Sequence, residues 1–212
     1  MPVAMSGAIS AIRRWRPRAF GLAAVALCFA MALMTSGLAP VLAQDNALAE
    51  KLQLCGACHG EDGNSKMEKI PSLAGQPAFY TLNQLFLMRE GVRKVEAMAA
   101  IVKDLKDGDL TALSEHYAKL APRRSDEPVD AELARRGQQI AAQQRCGSCH
   151  LPTLAGQEQM PRIAKQRIDY LVDVLKSYRD NPRPGADTAM SPPVGGLRDA
   201  DIAALAHYAA SL

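Results

Sequence analysis

Aromatic side chains are scarce in this chain, at 5% of 212 residues, and its single tryptophan, Trp15, lies in the extreme N-terminal stretch. A core so short of rings must take its apolar bulk from elsewhere, and a bound apolar group would supply it. No convincing alternation of apolar and polar residues marks a strand, so the expected class is all-α. The missing βαβ pattern also removes the usual setting of a thioredoxin-like redox pair. A lasting basic excess is absent too. The formal charge is +3, but Arg13, Arg14, Arg16 and Arg18 supply four of the 25 Lys+Arg, and residues 44–212 hold 21 against 22 Asp+Glu. Nothing here argues for nucleic-acid binding, which calls for a strongly basic face.

Those four arginines open a segment with no further charge until Asp45. An apolar stretch from Ala19 to about Thr35 follows, then Gly37, Pro40 and the triplet Val41-Leu42-Ala43, with small residues at its first and last positions. This pattern predicts an export signal over residues 1–43, cut after Ala43, and hence a periplasmic protein. The alternative is an uncleaved N-terminal anchor, since a membrane span needs about 20 apolar residues. Cys28 lies inside this segment. The other four cysteines sit in two short motifs.

The motifs are Cys55-Gly-Ala-Cys58-His59 and Cys146-Gly-Ser-Cys149-His150, 91 residues apart. Pro71, Gln76 and Tyr80 recur as Pro161, Gln166 and Tyr170 at an offset of 90. Met98, Asp109, Leu110, Leu113 and Leu120 recur as Met190, Asp201, Ile202, Leu205 and Leu212 at 92. A nearly constant offset through motif, middle and end predicts a duplicated domain. Residues 121–130, with two prolines and several charges, read as a linker between domains at 44–120 and 131–212. Domains of this size often need a cofactor or metal as a staple. Helices are expected from Pro77 to Met88, from Ala131 to Gln144, and at the end of each half, with Asp109 and Asp201 as caps.

Two thiols three positions apart can reach both vinyl groups of one porphyrin, and the next histidine then lies under the iron. Cys-x-x-Cys-His is a recognised haem-attachment signature, so Cys55, Cys58, Cys146 and Cys149 are expected to form thioethers to two covalently bound haem c groups. His59 and His150 become the proximal ligands. A four-cysteine zinc site would have to join pairs 88 residues apart, from Cys58 to Cys146, against about 15–20 in usual zinc modules, and would leave both histidines idle. A disulfide within either short motif would be strained.

Met98 and Met190 lie 39 and 40 residues after His59 and His150, and they are the only methionines kept in register. They are the expected sixth ligands. Met67, Met88 and Met160 read as packing or surface residues. Ligation by a second histidine, from His116 or His207, is the alternative. A backbone carbonyl at Pro71 or Pro161 could accept the second ring N–H of the histidine; a plain turn proline is the other reading. Arg89, Arg93 and Lys94, with Arg162, Lys165, Arg167, Arg179 and Arg183, form either basic rims around the haems or an ordinary solvated surface.

The first half carries Cys-Gly-Ala-Cys-His-Gly-Glu-Asp-Gly-Asn-Ser (55–65), Pro-Ser-Leu-Ala-Gly-Gln (71–76), Tyr80, Gln84-Leu85 and Met98. The second carries Pro-Arg-Ile-Ala-Lys-Gln (161–166), Tyr170, Leu175, Tyr178-Arg179 and Met190. The chain thereby resembles the class I cytochromes c, and its duplication resembles the two-haem cytochrome c4 family over residues 46–212. The resemblance implies two tandem class I domains, proximal His59 and His150, distal Met98 and Met190, and carbonyl contacts from Pro71 and Pro161. Two departures stand out. Asn46 takes the place of Gly137 in the opening helix, and Leu151-Pro152 replaces the Gly-Glu-Asp-Gly that follows the first motif.

A six-coordinate iron leaves no open position for substrate, so the expected role is single-electron transfer between respiratory redox proteins rather than catalysis. The resemblance makes a haem–copper oxidase a candidate acceptor and leaves room for peripheral membrane association. The alternative role is a haem-bearing subunit of a larger periplasmic dehydrogenase complex.

Overall fold

The computed structural model describes the backbone from residue 39 and side chains from residue 47. The expected leader, 1–43, lies outside the described residues except where the first helix begins. Residues 46–212 form one compact unit. It is all-α, with no strand among the described residues, and none of its helices is long and apolar enough to cross a membrane.

The first half contains α1 (Ala39–His59), α2 (Ala78–Arg89), α3 (Glu96–Val102) and α4 (Asp107–Lys119). The second contains α5 (Ala131–Gln143), the single turn α6 (Gly147–His150), α7 (Ile168–Asp180), a 3-10 turn at Thr188–Met190, α8 (Ser191–Val194) and α9 (Asp199–Ser211). In the first motif both cysteines and the histidine lie in the last turns of α1; in the second, Cys146 stands at the N-cap of the single turn α6, which carries Cys149 and His150.

Asp109 and Asp201 act one turn later than the sequence suggests. Both stand at the third helical position, and their carboxylates accept from the backbone N–H of Lys106 at 2.9 Å and of Arg198 at 3.1 Å. That is the acidic arm of a capping box. Each also anchors its half's opening helix, Asp109 to Lys51 at 3.1 Å and Asp201 to Arg136. In α5 the cap is Asp130, whose side chain accepts from Glu132 and Leu133 N–H.

The helix foreseen from Pro77 forms, and its apolar residues divide between two faces. Phe79 and Phe86 are 54% and 44% exposed, while Tyr80, Thr81, Gln84 and Leu85 turn to the interior cavity. Periodicity gave the helix correctly; it does not say which face a cofactor-sized cavity occupies.

Buried packing in the second half centres on α5 crossing α9. A Cβ at Gly137 would lie 2.0 Å from the Ala204 carbonyl oxygen, so only glycine permits this approach. Ile140, Ala141, Ala204 and Leu205 pack there, with Leu154, Ala164, Leu171, Ala206 and Ala209 alongside. Ala74, Val102, Leu110, Leu113 and Tyr117 are the buried apolar residues of the first half.

Residues 121–130 are tied to both halves. Asn64 donates to the Ala121 carbonyl and accepts from Arg123 N–H. The Glu127 carboxylate accepts from the N–H groups of Ile168 and Asp169 at 2.8 and 2.9 Å, satisfying orphan donors at the start of α7.

Candidate functional site

Both cysteine motifs open onto one continuous apolar cavity of about 700 Å³. Its walls include Cys55, Cys58 and His59 from the first half and Cys146, Cys149 and His150 from the second, with Pro71, Pro161, Met98 and Met190. Met88 and Met160 also line it; Met67, His116 and His207 do not. Instead, His207 Nδ1 accepts from Asp130 N–H at 3.0 Å, and His116 stands edge-on to Tyr117.

The two histidines are held alike. His59 Nδ1 lies 2.8 Å from the Pro71 carbonyl oxygen, and His150 Nδ1 lies 2.8 Å from that of Pro161. A carbonyl only accepts, so Nδ1 carries the proton in each ring and Nε2 keeps a free lone pair. Burial pushes both imidazoles below their ordinary pKa, outweighing the carbonyl contacts. Both are therefore neutral, the form that ligates metal. His150 Nε2 is buried with no protein partner, and such an orphaned acceptor facing a cavity fits a haem iron. No disulfide joins any of the four motif cysteines. Burial raises the pKa of Cys55 and Cys146. Among the described residues, no three His, Cys, Asp or Glu side chains gather as a metal cluster.

The methionines stand on different supports. Met98 lies within α3, its N–H 2.9 Å from the Val95 carbonyl. Met190 ends the 3-10 turn, where Asp187 caps Ala189 N–H at 2.9 Å and α8 starts on prolines. A repeated clasp closes both segments. Arg89 donates to the Leu105 carbonyl at 3.0 Å and pairs with Asp107 at 2.8 Å. Arg179 does the same with Leu197 and Asp199 at those distances.

These contacts alter the picture of basic rims. Arg89 and Arg179 are spent in the clasps. Arg167 is buried among Asp126, Glu127 and Asp169. Arg162, 3% exposed, has only carbonyl acceptors, those of Ala164 and Ser72, and burial lowers its pKa to about 10. Arg93 and Arg183, from opposite halves, both reach Gln84 Oε1, at 2.7 and 3.4 Å, and each has a buried Nε without a partner. Sequence supplies the charges of these side chains but not their depth; the equal spacing of Arg89 with Arg179 and of Arg93 with Arg183 was the available signal.

Comparison with known proteins decides the family. The cytochrome c family model matches residues 134–212. Cytochrome c4 of Pseudomonas aeruginosa is 31% identical over 187 residues, covering 84% of this chain and 93% of that protein. This chain belongs to the cytochrome c4 family. The crystal structure of reduced recombinant cytochrome c4 from Pseudomonas stutzeri matches with a TM-score of 0.72 at 30% identity, covering 79% of this chain and 97% of that one. A relative from Thiomonas intermedia named thiosulfate dehydrogenase electron acceptor is 30% identical over 168 residues, covering 74% of this chain and 77% of the relative. As a cytochrome c4, the protein has two tandem class I cytochrome c domains, carries two covalently bound haem c groups, and is an electron carrier rather than an enzyme.

Proposed function

We propose that Cys55 and Cys58 bind one haem and Cys146 and Cys149 the other, in domains spanning 44–120 and 131–212. In this reading His59 and Met98 are the axial ligands of the first iron, and His150 and Met190 those of the second. The carrying observation is the paired geometry: each motif histidine is neutral, fixed through Nδ1 by a proline carbonyl, and shares its cavity with the matched methionine. Pro71 and Pro161 thus orient the imidazoles. Exclusion of His116 and His207 from the cavity walls favours methionine over a second histidine. A thioether opposite imidazole favours the reduced iron and raises the potential.

The protein then passes single electrons between periplasmic redox proteins of the respiratory chain, towards a terminal oxidase of the haem–copper type. Export by a cleaved leader over 1–43 accords with covalent haem. A second reading is service to a dehydrogenase, favoured by the relative named as an electron acceptor of thiosulfate dehydrogenase. The ligand assignment is tested by absorbance. Met98→Ala and Met190→Ala should each remove half of the far-red sulfur-to-iron band and lower the potential of one haem. An unchanged band in either variant overturns the assignment.

A further inference from the structure

The peptide group that contacts each proximal histidine is gripped on its other side by a glutamine from the opposite half. Pro71 C=O, the acceptor for His59, and Ser72 N–H belong to one peptide unit. That N–H donates to Gln166 Oε1 at 2.8 Å, while Gln166 Nε2 donates to the Ser72 carbonyl at 2.9 Å. The second half mirrors this. Pro161 C=O, the acceptor for His150, shares its peptide unit with Arg162 N–H, which donates to Gln76 Oε1 at 3.0 Å; Gln76 Nε2 donates to the Arg162 carbonyl at 2.7 Å. Ser72, Gln76, Arg162 and Gln166 are all at most 5% exposed, so water does not compete for these bonds.

We infer that Gln76 and Gln166 are crossed positioning residues, each tuning through one polarised peptide the proximal histidine of the other half's haem. Hydrogen bonds in a chain strengthen one another in a buried setting. An acceptor on the peptide N–H makes the carbonyl on the same unit a better acceptor for the histidine Nδ1–H. The imidazole gains donor strength, which favours Fe(III) and lowers the potential. Gln76 therefore acts on the haem at His150, and Gln166 on the haem at His59. The two grips also join the halves reciprocally, so four of the bonds that dock them act on both irons as well. This inference rests on His59 and His150 being the iron ligands.

The test uses the full two-haem protein. Redox titration is followed by the hyperfine-shifted haem-methyl resonances, assigned to each haem with the Met98→Ala and Met190→Ala proteins. Gln76→Met should shift the one-electron equilibrium of the His150 haem about threefold towards Fe(II), about 28 mV at about 59 mV per tenfold, and move the His59 haem less. Gln166→Met should do the reverse. Asp173→Asn, which removes the cross-half ion pair to Lys69 without touching either peptide, should give no crossed pattern. If Gln76→Met does not fold with both haems, Gln76→Glu, which keeps the acceptor oxygen, should shift the His150 haem the opposite way, more than the His59 haem. Equal shifts of both haems, a larger shift of the glutamine's own haem, or none beyond Asp173→Asn overturns the relay. A wild-type spectrum without two His/Met haems would instead refute the ligand assignment beneath it.

Discussion

The turns that follow the two cysteine motifs close with the same bonds on different residues. In the first half, Gly63 N–H reaches the Gly60 carbonyl at 2.9 Å, and the Gly63 carbonyl accepts from Leu73 and Ala74 at 2.7 and 2.9 Å. In the second, Leu154 N–H reaches Leu151 at 2.9 Å, and the Leu154 carbonyl accepts from Ile163 and Ala164 at 3.0 Å each. All four residues have positive φ: 85° and 72° at the glycines, 67° and 55° at the leucines. Positive φ costs an ordinary side chain roughly 1–3 kcal/mol, and Leu151, with ψ 156°, lies in a region used almost solely by glycine. Leu154 offsets the strain by burying itself in the core, 3% exposed, whereas Leu151 is only half-buried. Lys165, at φ 58°, likewise stands where the first half has Gly75, at 67°. The histidine loop is thus a backbone requirement met in one half by glycine and in the other by strain set against packing.

The sharpest break between the halves lies at the helix crossing. Gly137→Ala drives a methyl into the Ala204 backbone and should destabilise the second half by about 3 kcal/mol or more, beyond the usual range for overpacking. Denaturant melts monitored at each haem should register the loss in the second half first. Making the first loop resemble the second comes next. Gly60→Leu places a Cβ 2.4 Å from the Asn64 carbonyl oxygen, adds left-handed strain, and should cost about 2 kcal/mol in the same melts. The reverse change, Leu151→Gly, should stabilise the second half by about 0.5–1 kcal/mol; a loss would mean that Leu151 contributes packing that its partial exposure does not suggest.

The paired aspartates give a pH contrast. The Arg198 guanidinium chiefly holds the Asp201 carboxyl down, from 3.8 to about 2; burial opposes this, and the Arg198 N–H and Arg136 assist. Asp109 is lowered as well, burial opposing the pull of the Lys106 N–H and Lys51. A carboxyl depressed in the folded state stabilises above its unfolded pKa and loses that contribution as pH falls through the folded value. Thermal melts should therefore show an acid-side decline that begins near pH 4. Asp201→Asn should flatten it between about pH 4 and pH 2, more than Asp109→Asn does.

Much of this architecture was legible in the sequence because it rests on spacing. The two Cys-x-x-Cys-His runs, the offsets of 90 to 92 and the helical periods located the duplicated all-α fold. Features that rest on depth were not legible. Nothing in a string of letters separates Arg162 and Arg167, buried at 3% and 5%, from Lys94 at the surface. Gln76 and Gln166 were visible as a matched pair, but their reach across the molecule needs the tertiary contact. Leu151-Pro152 looked like a different loop because residue type changed where backbone conformation did not. Segment 121–130 has the composition of a loose connector, yet Asn64 and Glu127 bind it to both halves.

Intact mass under denaturing conditions tests the central claim most directly, because only a thioether-bound porphyrin survives it. The purified protein should carry two haem increments, and replacing Cys146 and Cys149 with alanine should remove one while leaving the other on Cys55 and Cys58. A single increment in the wild type, or two increments after both cysteines of one motif are gone, would contradict the account.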